Sequence, residues 1–102
     1  MKIKIIMTTT DNKKVAEKIS NTLVNENIAA CVQIFNNVSS TYKWEGKVIN
    51  ESEFLLLAKT SFDNLDICKK YIEKLHNYEV PEIISLDSKI MNEKYKKWFL
   101  KK

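Results

Sequence analysis

The stretch His76-Asn-Tyr-Glu-Val-Pro-Glu82 holds the only histidine and the only proline of the chain, with a tyrosine and two glutamates. Apolar residues at helical spacing, from Phe62 to Leu75, precede it and predict a helix. Val80 to Leu86, which contains Val80, Ile83, Ile84 and Leu86, follows it and predicts the fourth strand. Because Pro81 has no backbone N–H, a strand must begin there or lie at a sheet edge. The stretch therefore predicts a junction between this helix and a strand over Val80–Leu86.

Upstream, the sequence predicts a strand followed by a helix. Lys2 to Thr8 is rich in β-branched residues and alternates apolar and polar positions, with Ile6 adding apolar surface to the second face. Asp11 is placed to cap the next helix, because its carboxylate can accept the free N–H groups of a first turn.

The middle of the chain predicts a long β-hairpin. Glu45-Gly46 supplies the turn, because the sole glycine tolerates the positive φ of a tight hairpin. Tyr42 and Trp44 share one face of the outgoing strand, and the return strand ends in the apolar run Phe54–Ala58. An aromatic arm of this length predicts a subunit interface at Tyr42 and Trp44. A stacking platform for bases is the alternative interpretation of these rings.

The order strand, helix, strand, strand, helix, strand and a last helix predicts one α+β domain over residues 1–102. This is the ferredoxin-like split βαβ arrangement (βαββαβ plus a C-terminal helix), whose antiparallel sheet carries both main helices on one face. The other face is left open. We expect Ile6 and the run Phe54–Leu57 to be exposed there in an isolated copy, which favours self-association.

Composition narrows the functional classes. The chain is 44% hydrophobic and 29% charged with a net charge of +4, as in ordinary globular proteins. No apolar run approaches the length of a membrane span, and the lysine-interrupted start is too short for a signal peptide. Cys31 and Cys68 lie far apart without a Cys-x-x-Cys motif, so we expect reduced thiols and a cytoplasmic location. No RNA-binding signature and no nucleophile beside a base is visible, so we expect neither nucleic-acid binding nor an enzyme.

Several segments together resemble the CutA divalent-cation-tolerance family. They are Ala29-Ala-Cys-Val32, Ser40-Thr-Tyr-Lys-Trp-Glu-Gly-Lys47, Lys59-Thr60, His76-Asn-Tyr-Glu-Val-Pro-Glu-Ile83, and Tyr95 with Trp98. The resemblance implies a non-enzymatic homotrimer, similar in assembly to the PII signalling proteins, with hairpin arms reaching onto neighbouring subunits. It also implies a role in tolerance of, or response to, divalent metals such as copper. No cofactor is certain, and copper or another divalent ion is the candidate.

The same resemblance suggests a metal site, with departures. Some bacterial members implicated in copper binding carry a cysteine at the end of the first strand and two histidines at the end of the second helix. This chain has Met7, Leu75 and His76 at those positions. A methionine thioether suits Cu(I) better than hard divalent ions. The candidate metal ligands are therefore His76, Met7 and Cys31. For His76, a structural histidine at the negative end of the helix dipole is the alternative.

A ligand cleft between subunits is the second functional hypothesis. Its candidate residues are Lys59, Tyr78, Glu79 and Glu82, which would bind a small ligand in a PII-like signalling role. The alternative for Glu79 and Glu82 is structural, through backbone hydrogen bonds or an ion pair with a lysine such as Lys59.

Overall fold

The computed structural model describes residues Met1 to Lys101, and in that range an antiparallel sheet carries helices on both faces. The strands follow the order β2-β3-β1-β4, so β1 and β3 are central. This order confirms the predicted ferredoxin-like topology with an added C-terminal helix. The elements are β1 Lys2–Thr10, α1 Lys13–Asn25, β2 Cys31–Trp44, β3 Lys47–Thr60, α2 Leu65–Leu75, β4 Ile84–Lys89 and α3 Glu93–Lys101.

The main core lies between the sheet and helices α1 and α2. Ile6 pairs with Ala58 across β1 and β3, and both side chains face these helices. Ile6 is only 2% exposed and packs with Leu56, Ile19 and Ile72. The expectation that Ile6 is exposed on the open face is therefore wrong. The side chains of a strand alternate between faces, so Ile3, Ile5 and Met7 occupy the other face instead.

Helix α3 covers one end of that second face. Phe99 is 1% exposed and packs with Ile3, Ala30 and Ile90 in a smaller core. The rest of the face has no covering element in the part of the chain described. We call it the open face, and it is defined by Ile5, Met7, Phe35, Leu55, Leu57, Ile84 and Leu86, all partly or largely exposed. The prediction of an uncovered apolar face is therefore confirmed for Leu55 and Leu57 of the predicted run.

The outer part of the β2–β3 hairpin projects from the sheet and gives the molecule extents of 47 × 24 × 22 Å. We call Val38 to Glu53 the hairpin arm. Its turn is Glu45-Gly46, with φ of 50° and 77°, as in a two-residue type I′ turn, which confirms the predicted turn. At its base the pairing shifts between Phe35 and Val38, so Asn36 and Asn37 form a β-bulge.

The element boundaries near the junction differ from the sequence prediction. Asn12 rather than Asp11 caps α1, with its side-chain oxygen 3.1 Å from the Val15 nitrogen. Asp11 instead accepts a hydrogen bond from Asn77. Strand β4 begins at Ile84, not at Val80, which is 76% exposed. Helix α2 begins at Leu65, so Phe62 lies before it and is 70% exposed.

Candidate functional site

His76 fixes the junction between α2 and the following segment through both ring nitrogens. Its Nε2 lies 2.8 Å from the carbonyl oxygen of Thr9, and its Nδ1 lies 3.0 Å from the backbone nitrogen of Tyr78. A carbonyl only accepts and an amide only donates, so the pattern assigns a neutral imidazole with the proton on Nε2. Burial lowers the pKa of His76, while the hydrogen bond to Thr9 opposes that shift.

Asn77 ties the same junction to the end of β1. Its side-chain oxygen accepts a hydrogen bond from the Thr10 hydroxyl at 2.5 Å, and its amide donates to Asp11 at 2.9 Å. Together with His76, these bonds hold the start of the 76–82 segment against the central strand. The segment therefore has a fixed position beside the hairpin arm.

A buried carboxylate on β3 meets this segment. The Tyr78 hydroxyl donates to Oε2 of Glu53 at 2.6 Å, and Glu53 is only 6% exposed. Burial, and then the hydrogen bond to Glu53, raise the pKa of Tyr78 well above its ordinary value. The contact joins the junction to the base of the hairpin arm.

A second tyrosine–carboxylate pair lies further out on the arm. The Tyr42 hydroxyl donates to Oε1 of Glu51 at 2.6 Å, and this hydrogen bond raises the pKa of Tyr42 to about 12. Asn50 holds the neighbouring strand by hydrogen bonds to Ser39 and Thr41. Trp44, near the tip, is 56% exposed.

The arm and the 76–82 segment border an open groove of about 790 Å³, which we call the arm groove. Its walls combine aromatic rings with carboxylates. The side chains that matter for its chemistry are Tyr42, Trp44, Glu51, Glu53, Tyr78, Glu79 and Glu82. The groove can therefore surround a small ligand and offer it negative charge and aromatic surface.

Comparison with known proteins shows which family has this architecture. A family model described as CutA1 divalent ion tolerance protein matches residues 4–102. The chain belongs to this family. Among similar solved structures, CutA1 from Ehrlichia chaffeensis has a TM-score of 0.89 and 34% identity, covering 96% of this chain and 92% of that one. The divalent cation tolerance protein from Thermus thermophilus has a TM-score of 0.88 and 36% identity, covering 97% of this chain and 95% of that one.

Curated CutA relatives extend the comparison. The Thermus thermophilus divalent-cation tolerance protein CutA is 37% identical over 94 residues, which are 92% of this chain and 91% of that protein. The chloroplastic protein CutA of Arabidopsis thaliana is also 37% identical over 94 residues, but these are only 52% of its length. The chain thus spans about half the length of that plant relative, and 53% of a rice one. None of the helices within residues 1–101 is long and apolar enough to cross a membrane.

The structure brings together most of the predicted cleft residues. Tyr78, Glu79 and Glu82 all line the arm groove. Lys59 does not line it. This lysine pairs with Cys31 across the sheet, and its Nζ lies 5.9 Å from the centre of the Tyr95 ring on α3.

Sequence reasoning missed Glu51 and Glu53, which complete the acidic wall. A usable signal was present, because Glu51-Ser-Glu53 directly precedes the apolar run of β3. Glu53 stands two residues before Leu55, so alternation puts its carboxylate on the same face as that apolar side chain.

The three predicted metal ligands stay apart within one chain. The side chains of Met7 on β1 and Cys31 on β2 both lie on the open face. Strand β3 lies between β1 and β2, so these two strands are roughly 10 Å apart. His76 binds backbone groups with both nitrogens. Among residues 1–101, no three or more His, Cys, Asp or Glu side chains are grouped so as to hold a metal ion.

Proposed function

We propose that this CutA1 family member is a non-enzymatic homotrimer that acts in tolerance of, or response to, divalent metal ions, with copper as the leading candidate. The observation that carries the proposal is the family match over residues 4–102. A relative of nearly the same length bears the name divalent-cation tolerance protein. Free Cys31 and Cys68 are typical of a reducing compartment, which supports a cytoplasmic location.

The open face supports self-association. Phe35, Ile84 and Leu86 are each nearly half exposed there. Full burial of such a side chain from water yields roughly 1.5–3 kcal/mol, so covering the exposed half yields roughly half of that for each, and together these side chains favour a partner that covers the face. The exposed Tyr42 and Trp44 of the hairpin arm are suited to anchor the arm on a neighbouring subunit.

Direct metal binding at His76 is expected to be weak. A metal ion would have to displace either the Thr9 carbonyl or the Tyr78 amide from the ring. Met7 and Cys31 offer sulfur ligands on the open face, where association of copies can bring together groups that one chain keeps apart.

Calorimetric titration tests the metal proposal. Cu(II), Cu(I) and Zn(II) are titrated into untagged wild type and His76→Ala, with Cys31→Ser and Met7→Leu as further variants. We expect weak heats in wild type that the His76 variant reduces. Flat and identical titrations for all variants would rule out direct binding by these residues.

A second candidate function is a PII-like module that binds a small ligand, and the arm groove favours it. The groove volume of about 790 Å³ is in the range of small-molecule sites, roughly 300–1,000 Å³. Thermal unfolding with a panel of nucleotides, anions and organic cations tests this, because a ligand of the folded state raises the melting temperature. No shift with any member of the panel would count against it.

A further inference from the structure

Two lysines face each other across β1 and β4, at the end of the sheet away from the hairpin arm. Lys2 pairs directly with Lys89, and neither forms an ion pair within residues 1–101. Like charges opposite each other on antiparallel strands repel. The next pair along the same strands is compensated, because Lys4 lies opposite Asp87 and the two form a salt bridge. A bound anion between Lys2 and Lys89 would remove the remaining repulsion.

These lysines line a groove of about 560 Å³, which we call the lysine groove. It lies on the helix-bearing side of the sheet, because Lys2 and Lys4 alternate onto the same face as Ile6. The charged side chains that line it are three lysines and one aspartate: Lys2, Lys4, Lys89 and Asp87. An excess of two positive charges therefore faces a groove whose volume is in the range of small-molecule sites, roughly 300–1,000 Å³.

Phe62 borders both the lysine groove and a neighbouring groove of about 360 Å³. The Phe62 side chain is 70% exposed, and its ring centre lies 5.4 Å from the Nζ of Lys4. The apolar lining of the neighbouring groove consists of Ile6, Phe62, Leu65 and Ile83. Because Ile6 stands four residues from Lys2 on β1, the apolar end lies roughly 14 Å from the paired lysines. Phe62 thus connects an anion-attracting end with an apolar end.

The charge along these two grooves favours a small anion over a polyanion. Carboxylates of Asp63 and Asp66 line the apolar end, where they would repel a second anionic group. A phosphate monoester carries roughly two negative charges above pH 7, which matches the two excess positive charges at the lysine end. An uncharged apolar body suits the other end. A single phosphate on such a body therefore fits both ends.

These residues are separate from the surfaces that the proposed trimer covers. The open face lies on the other side of the sheet, and the hairpin arm continues β2 and β3 beyond Thr10, at the far end of β1. Covering the open face therefore leaves Phe62 and both lysines exposed.

We propose that the lysine groove and its apolar neighbour form one site for a phosphate monoester with an apolar alkyl or aryl body. The phosphate binds between Lys2 and Lys89. The body lies across Phe62 toward Ile83. The site is independent of the arm groove, and its ligand is a free small molecule.

Amide chemical shifts of the assembled protein, titrated with octyl phosphate below its micellar concentration at pH 8, test the proposal. We expect saturable shifts in residues 2–4 and 87–89 and at Phe62, whereas Tyr42 and Tyr78 of the arm groove should not shift. Added salt should weaken the binding, because the groove is open to solvent. Saturable shifts confined to the arm groove or the open face would overturn the proposed site.

A double lysine variant tests the phosphate contact. Lys2→Gln/Lys89→Gln should weaken octyl phosphate binding about tenfold, since two charged partners of the phosphate are lost. The control Lys18→Gln/Lys74→Gln makes the same charge change on the exposed surfaces of α1 and α2 and should keep the affinity within about twofold. All four lysines are exposed, so folding should be unaffected. Equal affinities in the two double variants would overturn the proposal.

A substitution and two further probes test the apolar contact. Phe62→Ala should weaken octyl phosphate binding about fivefold, whereas Leu100→Ala, at a comparably exposed position on α3, should not change it. Inorganic phosphate should bind more weakly than octyl phosphate and should be insensitive to Phe62→Ala. Octylammonium, which has the same chain and the opposite charge, should not bind. Equal binding of octyl phosphate and either probe would overturn the proposed ligand class.

Two other occupants of the site would also overturn the proposal. The first is a second copy of the chain, which a smaller sedimentation coefficient for Phe62→Ala than for wild type would reveal. The second is a membrane lipid, which binding to phosphatidic acid vesicles without binding to octyl phosphate would reveal. Neither result bears on the metal response or the arm groove, so this site can fail while the proposed functions stand.

Discussion

At the residue scale, His76 couples stability to pH. Its folded-state pKa is lowered from an ordinary value of about 6.5, so the unfolded chain binds the proton more readily. Stability should therefore be complete above pH 6.5 and fall as the pH drops below it, by less than about 1.4 kcal/mol per pH unit for one proton. Urea unfolding from pH 7.5 to 5.5 measures this.

His76→Gln is the matched variant for that measurement, because His76 is the only histidine. The variant should lose the pH dependence in this window. A histidine ring resonance that titrates at or above 6.5 in the folded protein would contradict the lowered pKa of His76.

Also at the residue scale, the Tyr78–Glu53 hydrogen bond is expected to stabilise the folded protein. Tyr78→Phe leaves the buried carboxylate without its donor, so unfolding free energy should fall by about 1–3 kcal/mol. Tyr71→Phe is the control, since the Tyr71 hydroxyl has no hydrogen-bond partner within residues 1–101 and is also partly buried. Equal losses in both variants, measured by urea unfolding, would show that the Glu53 contact adds nothing.

The residue scale is also where sequence reasoning was weakest. Tyr78, Glu79 and Glu82 could be placed at one site because they are adjacent in the chain. Glu53 could not, because its partner is 25 residues away and only the sheet register brings them together. Lys59 lies outside the groove of the single chain, with its Nζ near the Tyr95 ring on α3, and its place in a cleft between subunits stays a prediction.

At the scale of elements, Phe99 is the buried side chain that anchors α3. Phe99 is 1% exposed against Ile3 and Ile90, whereas Leu100 is 60% exposed. Phe99→Ala should cost about 3–5 kcal/mol of unfolding free energy, and Leu100→Ala should change it by less than about 0.5 kcal/mol. Denaturant unfolding at fixed protein concentration gives both values, and a Phe99 variant as stable as the Leu100 variant would contradict the docking of α3.

Element identity could be predicted, but some boundaries could not. The tight turn at Glu45-Gly46 needs positive φ, and Gly46 is the residue that adopts it most easily. The hairpin was therefore identifiable from the local sequence. The start of β4 was not, because Val80 and Ile83 are as suited to a strand as Ile84 is. Hydrogen bonds of His76 and Asn77 to the end of β1 hold the segment before Ile84 outside the ladder.

At the scale of the whole molecule, we expect the open face to determine the oligomeric state. Leu86→Asp places a charge in that face and should convert the proposed trimer into a monomer of 12.0 kDa at micromolar concentration. Ile67→Asp is the control, because Ile67 has similar exposure but lies on α2. Sedimentation velocity distinguishes them, and a wild type that is itself a compact monomer would refute the proposed assembly.

The bulge at Asn36 and Asn37 has a mechanical consequence. The hairpin arm can bend at this bulge. The bending point lies beside Glu53, which pairs with Val38 immediately after the bulge. Trp44 lies roughly 20 Å further along the strand, so a tilt of the arm by about 10° at the bulge moves Trp44 by roughly 3–4 Å. An occupant that draws Trp44 toward Tyr78 must therefore flex the backbone at Asn36 and Asn37, which do not line the arm groove.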